Sequence, residues 1–292
     1  MVKFGGYFHP FPIWDGVSRL EKAEKVLGRH VDVVMWYAWW KAGLLQGGKR
    51  ASKFQPKWVS SVDDRDVYIK WEPWKPGKKI VQPELALATI VDGKHDAYIR
   101  EWAVRIRDCS RTIYVSPMPE MNGFWNQWSV PVGHHDPKLF IEAWRYIHGI
   151  FVAEEATNAK FVWAPNAGDM PSEYPMELFY PGADSVDVLG LSVYNWGTAR
   201  PWSKWQSCQE VFQPYYDRIA KLGKQPIWVA EMGCAPVGGD KAAWIREALV
   251  YLPTLSRLEA AIWFDMKKET DWRITTPSIA PLFRKPEQSG AT

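Results

Sequence analysis

Short apolar runs rich in β-branched and aromatic residues alternate along this chain with stretches whose apolar positions recur every three or four residues. The first kind reads as strands buried on both faces, the second as amphipathic helices packed on one side. Strands are predicted at Lys3 to His9, Val31 to Trp39, Val67 to Trp71, Thr112 to Met118, Lys160 to Ala164, Val186 to Val193, Pro226 to Ala230 and Leu258 to Phe264. Between them, helices are predicted from Asp15 to Leu27, near Pro56 to Val62, and over His95 to Asp108, Pro137 to Glu155, Ser203 to Leu222 and Asp240 to Leu252. In the first helix Leu20, Ala23, Val26 and Leu27 share a face, with Asp15 as cap and Gly28 as stop. Gly77 to Gly93 reads as a loop insertion. Strand–helix alternation implies a parallel sheet, and eight such units in under 300 residues imply a closed (β/α)8 TIM barrel rather than an open sheet. One barrel domain is expected over residues 1–284, followed by a tail over 285–292.

Composition sharpens the picture at one point. Of 292 residues 19 are Trp, well beyond ordinary use, and each carries an N–H that wants a partner. Such a surplus suggests flat apolar platforms that stack on a ligand; an aromatic-rich core is the competing explanation. The net charge of +3 comes without a dense basic stripe, so no nucleic-acid partner is expected. No apolar stretch reaches the ~20 residues of a membrane span, so no membrane partner is expected, and the chain is expected to be a monomer. Cys109, Cys208 and Cys234 form no disulfide framework, and no Cys/His cluster has metal-ligand spacing, so neither metal nor cofactor is called for. The start, MVKFGGYFHPFP, lacks a charged segment followed by an apolar run, so no leader peptide is read there. The compartment is left open.

In such a barrel the C-terminal strand ends line the active site. Aromatics and carboxylates crowd that rim: His9 after the first strand, Trp36 to Trp40 after the second, Trp71 and Glu72 after the third. Glu120 closes TIYVSPMPE on the fourth strand and Glu231 closes PIWVAE on the seventh. A carboxylate ending an apolar strand is costly unless it faces the pocket. Strands four and seven lie nearly opposite, so the pair would face each other across the cavity. Two carboxyl groups flanking a bond, one protonated and one ionised, are what glycoside hydrolysis needs.

These residues also carry a family likeness. PEMNGFWNQW (Pro119 to Trp128) resembles the acid/base segment of glycoside hydrolase family 26, which includes β-mannanases, and the likeness continues through WEP, WAPN, LSVYNWG, PIWVAEMG and WFDMKKETDWRI. The resemblance implies a retaining, endo-acting hydrolase of a β-linked polysaccharide, β-mannan first, with mixed-linkage β-glucan and β-xylan also within the family. It implies that Glu120 is the acid/base and Glu231 the nucleophile. The family usually has His directly before the acid/base; here the position is Pro119. Trp263 is expected to be the platform at the cleavage site and Tyr194 to hold Glu231. Asn122, Trp125, Trp128, Trp163, Trp71, Trp196 and His9 complete the expected sugar contacts. A non-catalytic carbohydrate-binding barrel is the alternative; it would keep the Trp platforms but need not keep both Glu.

Overall fold

The computed structural model describes residues 1–8, 16–41, 53–77 and 79–284. Eight parallel strands close into a barrel in sequence order: β1 (Lys3–Tyr7), β2 (Val33–Trp39), β3 (Asp66–Glu72), β4 (Ile113–Pro117), β5 (Ala159–Trp163), β6 (Val188–Asn195), β7 (Ile227–Cys234) and β8 (Leu258–Phe264). Closure is made by β8 lying against β1, with Gly5 opposite Ile262 and Gly6 opposite Trp263. Gly5 is required by that closeness, since a Cβ there would sit 2.9 Å from Ile262 and 3.0 Å from Val33.

Helices α1 (Gly16–Leu27), α2 (Pro56–Ser60), α3 (Leu87–Val91), α4 (Asp96–Arg107), α5 (Val130–Gly133), α6 (Pro137–Ala153), α7 (Cys208–Ile219) and α8 (Lys241–Tyr251) connect the strands. The expected loop over Gly77 to Gly93 in fact holds a 3-10 turn at Pro83–Leu85 and the helix α3. Leu85, Leu87 and Ile90 are buried there, and a single helical turn is too short to show a 3.6-residue period. α7 begins at Cys208, later than expected, because Ser207 and Glu210 form a reciprocal capping box that fixes its first turn.

Strand pleating divides the apolar residues into two cores. Inward positions, among them Val33, Met35, Tyr68, Val162, Trp228, Ala230, Ile262 and Phe264, fill the barrel. Outward positions meet the helices, and there much of the tryptophan is spent. Trp71 of β3 stacks on Trp102 of α4 with ring centroids 4.8 Å apart. Trp163 of β5 donates its indole N–H to the Phe179 carbonyl at 3.1 Å. Each such ring removes ~150–250 Å² from water, about 4–6 kcal/mol at ~25 cal/mol per Å² before ordering costs. The aromatic-rich core therefore accounts for a large part of the surplus.

Candidate active site

Inward positions near the C-terminal ends of the strands carry polar chemistry instead of apolar bulk. Tyr37 on β2 pairs in register with Lys70 on β3, and Ser192 on β6 pairs with Glu231 on β7. Strict alternation along β7 would turn Glu231 outward, since Trp228 and Ala230 already face the barrel interior. A bulge prevents this. Leu191 pairs with Val229 but Ser192 pairs with Glu231, so Ala230 is the extra residue, and the register against β8 slips at the same place. A bulge re-aims the next side chain. Glu231 therefore enters the barrel, and Met232 and Cys234 fall on the outer face. Gly233 completes the arrangement: a Cβ there would come within 2.9 Å of Tyr194 and 3.0 Å of Trp272.

Glu231 is only 5 % exposed and its carboxylate accepts three hydrogen bonds. The Tyr194 hydroxyl donates to Oε1, and the Tyr37 hydroxyl donates to Oε2. The Lys70 ammonium donates to Oε2 at 2.8 Å. Both phenols are pushed well above their ordinary pKa, by burial first and by the Glu231 charge next. They therefore remain protonated donors at neutral pH.

Glu120 sits in a left-handed backbone conformation, φ 57°, just past β4. Its N–H donates to the Ala164 carbonyl at 2.8 Å, and its own carbonyl accepts from Gly123 N–H at 3.1 Å. These bonds hold a conformation that a non-glycine residue adopts only at a cost. The Trp125 indole N–H donates to Glu120 Oε2 at 2.9 Å. Lys70 Nζ stands 3.6 Å from Oε1. The Glu120 side chain is 17 % exposed against 6 % for Glu231, so the two carboxylates differ in both donors and access to solvent. Because one ammonium touches both, its two partner oxygens are at most about 6.4 Å apart.

A third carboxyl, Glu72 on β3, is half-buried. Burial drives its pKa up to about 8; Lys70 opposes this, while Glu120 and Glu231 add to it. Aromatic rings wall the site. Tyr7 stacks on Phe264 at 5.1 Å. Tyr194 packs against Trp272 at 4.8 Å, and Trp272 against Trp196 at 4.9 Å. Among the described residues no cluster of His, Cys, Asp and Glu is arranged to hold a metal ion.

Glu120, Glu231, Tyr194, Trp125 and Trp196 thus gather at this end of the barrel. Five other expected sugar contacts do not. Trp263 is 2 % exposed and faces outward from β8, edge-on to Trp244 of α8 and to Phe283 at 5.1 Å. It has no free face, because in the pleat the inward neighbours are Ile262 and Phe264. Trp71 and Trp163 are fully buried on outward positions of β3 and β5 for the same reason. Trp128 is buried under its loop, donating to the Pro119 carbonyl at 2.7 Å. Asn122 is 1 % exposed; it accepts from Asn166 N–H at 2.8 Å and donates to Asn166 O at 2.9 Å. It ties the loop after β4 to the end of β5 rather than reaching a ligand. His9 lies outside the described residues.

Sequence reasoning passed over Lys70 and Phe264, and it placed Tyr37 and Trp272 on the rim without giving them a role. The signal for Lys70 was present, since Tyr68, Lys70 and Glu72 alternate with Val67, Ile69 and Trp71, and a Lys inside an otherwise apolar strand is costly without a partner. No period fixes the direction of Trp272, which follows β8 on a loop.

The comparisons with known proteins bear on this site. The pattern of glycosyl hydrolase family 26 matches residues 11–272. This chain belongs to glycosyl hydrolase family 26. It is 32 % identical over 96 % of its length to endoglucanase H of Acetivibrio thermocellus, and it spans about 30 % of that longer protein. Among solved structures it resembles a modular endo-β-1,4-mannanase from Cellulomonas fimi, with TM-score 0.70, 18 % identity, and coverage of 97 % of this chain and 69 % of that one. It also resembles a family 26 β-mannanase from Bacteroides ovatus, with TM-score 0.66, 17 % identity, and coverage of 97 % and 86 %. At those identities the structural likeness speaks for the fold. Membership places this barrel among the glycosyl hydrolases.

Proposed function

We propose that this family 26 barrel cleaves β-linked glucan chains internally, by double displacement with retention at the anomeric carbon. The observation that supports the mechanism is the ammonium shared by Glu120 and Glu231, which keeps its two partner oxygens, Glu231 Oε2 and Glu120 Oε1, within about 6.4 Å of each other. Retaining pairs stand ~5–5.5 Å apart, whereas inverting pairs need ~6.5–9.5 Å to admit a water. In this reading Glu231, deep and held by three donors, attacks the anomeric carbon as the glycosidic C–O bond breaks. Glu120, nearer solvent, gives its proton to the departing oxygen. It then takes a proton from the water that releases the sugar from Glu231.

The substrate assignment rests on position 119. Pro119 offers no side-chain donor beside Glu120, and its carbonyl is taken up by Trp128 and Asn126. The His usual at that place in the family is thus not replaced by another polar group. The relative at 32 % identity is called an endoglucanase, whereas the mannanases share 18 % identity or less. Glucan accordingly stands ahead of the mannan that the resemblance alone implies. The experiment is reducing-sugar release from soluble β-glucan, β-mannan and β-xylan by the native chain and by Glu231→Gln, with the product anomer read by NMR. Release from β-glucan as the β-anomer, lost in Glu231→Gln, is expected. Preferred release from mannan would refute the substrate assignment, and an inverted product would refute the mechanism.

A further inference from the structure

Lys70 is the buried charge that this mechanism does not yet use. It is 1 % exposed, projects inward from the middle of β3, and bonds Glu231 Oε2 at 2.8 Å and Ser192 Oγ at 3.3 Å. Glu120 Oε1 is 3.6 Å away. An ammonium that cannot reach water must be balanced where it sits, and here two carboxylates share that balance.

Counting charge through the reaction gives Lys70 a part in both steps. Before reaction Glu231 is ionised and Glu120 carries a proton, so with Lys70 the trio is neutral. As the C–O bond to the leaving sugar breaks and the Glu231–carbon bond forms, Glu231 becomes a neutral ester. The proton of Glu120 passes to the leaving oxygen, and Glu120 becomes the anion. The trio is neutral again, but the anion now lies on the other carboxylate. We propose that Lys70 is a positioning residue that keeps the ionised member of the pair paired, moving its partnership from Glu231 to Glu120 as the glycosyl-enzyme forms and back as it is hydrolysed. The inference rests on the double-displacement reading above.

The titratable groups facing this site are Tyr7 from β1, Tyr37 from β2, Tyr68 and Glu72 from β3, Glu120 after β4, Tyr194 from β6, Glu231 from β7, and Lys268 and Glu269 after β8. The buried tyrosines are raised in pKa and do not titrate near neutrality. Lys70 also holds Glu72 down, so the Lys70 variants are compared in a Glu72→Gln background, where Glu72 does not titrate.

The test uses a dinitrophenyl β-glycoside of the disaccharide that the polymer screen identifies. Its leaving group needs no proton. The acid limb of kcat/KM therefore reports Glu231 in the free enzyme. Where a burst marks hydrolysis of the glycosyl-enzyme as rate-limiting, the acid limb of kcat reports Glu120 as base. A neighbouring cation lowers a carboxyl pKa by ~1–3 units. Lys70→Met should therefore move both acid limbs upward by at least about one pH unit, and Lys70→Arg should return both toward native. If Lys70→Met does not fold, Lys70→Gln is read in the same way. A shift in kcat/KM alone overturns the exchange of partners, because Lys70 would then serve Glu231 only. Unmoved limbs with lowered rates overturn it too, leaving Lys70 a packing residue. A native chain inactive on the aryl glycoside overturns the glycosidase reading and this inference together; an active one with unmoved limbs overturns the inference alone.

Discussion

Replacing Trp263 by Ala separates a sugar platform from a core residue. The ring is 2 % exposed and lies between the barrel and its helical layer, meeting Trp244 at 6.3 Å and Phe283 at 5.1 Å, both nearly perpendicular. Truncating a buried Trp costs ~3–5 kcal/mol, because transfer energy is lost and a cavity is left behind. Both edge-to-face pairs are lost as well, so we expect the upper part of that range. At ~2–4 °C per kcal/mol for a large domain, Tm should fall by roughly 10 °C or more. The carboxylates lie on the other face of the barrel wall. Their nearest tie to Trp263 is Met232, which pairs with it in register and follows Glu231 directly. A small loss of rate is transmissible there, less than about fivefold, or 1 kcal/mol. Calorimetry gives Tm, and kcat/KM on soluble β-glucan well below both transitions gives the rate. An unchanged Tm with kcat/KM down a hundredfold would refute the reasoning and make Trp263 the platform after all.

Three further outcomes follow from the site. Glu231→Ala should abolish hydrolysis of every substrate, whereas Glu120→Ala should lose about 10²–10⁴-fold on polysaccharide yet act on aryl glycosides with good leaving groups; equal loss on both would sink the roles. Tyr194→Phe removes one donor to a buried carboxylate, worth ~1.5–3 kcal/mol. Its kcat should fall ten- to a hundredfold and its acid limb rise, because the ionised form of Glu231 loses a partner; an unmoved limb would contradict the clamp. Glu72 holds its proton up to about pH 8 in the fold against an ordinary 4.5, so the folded state binds that proton more tightly than the unfolded chain does. Stability should therefore drain away as pH rises from about 4.5 to 8 and level off above. Glu72→Gln should gain in Tm over native across that window, and equal melting profiles at pH 5 and pH 8 would count against the shift.

The barrel was legible because each β-unit writes its own signal: a buried run, then a helical period. What escaped was short, as with the single turn of α3. At the site, legibility depended on which face of each strand a residue took. Applied along β8, the two-residue period would have turned Trp263 outward with the residues facing the helices and assigned Phe264 to the pocket, as in the structure. Applied along β3, it would have paired Lys70 with Glu72 on the inner face and moved Trp71 to the outer one.

The same rule fails at Glu231, and the failure is informative. Counting by twos from Trp228 through Ala230 sends Glu231 out among the helices, where an unpaired carboxylate costs several kcal/mol. The chain spends an extra residue at Ala230 instead, giving up regular pairing with both β6 and β8 at that point. The inner face gains a carboxylate bound by Tyr37, Tyr194 and Lys70. A sheet tolerates such a lapse of register where the re-aimed side chain has partners waiting. The donors on β2, β3 and β6 and the bulge on β7 therefore form one device. Deleting Ala230 would leave Glu231 opposite Ser192 and on the inner face by plain alternation, whereas a substitution that straightens β7 at unchanged length would turn Glu231 out of the barrel while leaving the apolar pattern that builds it almost untouched.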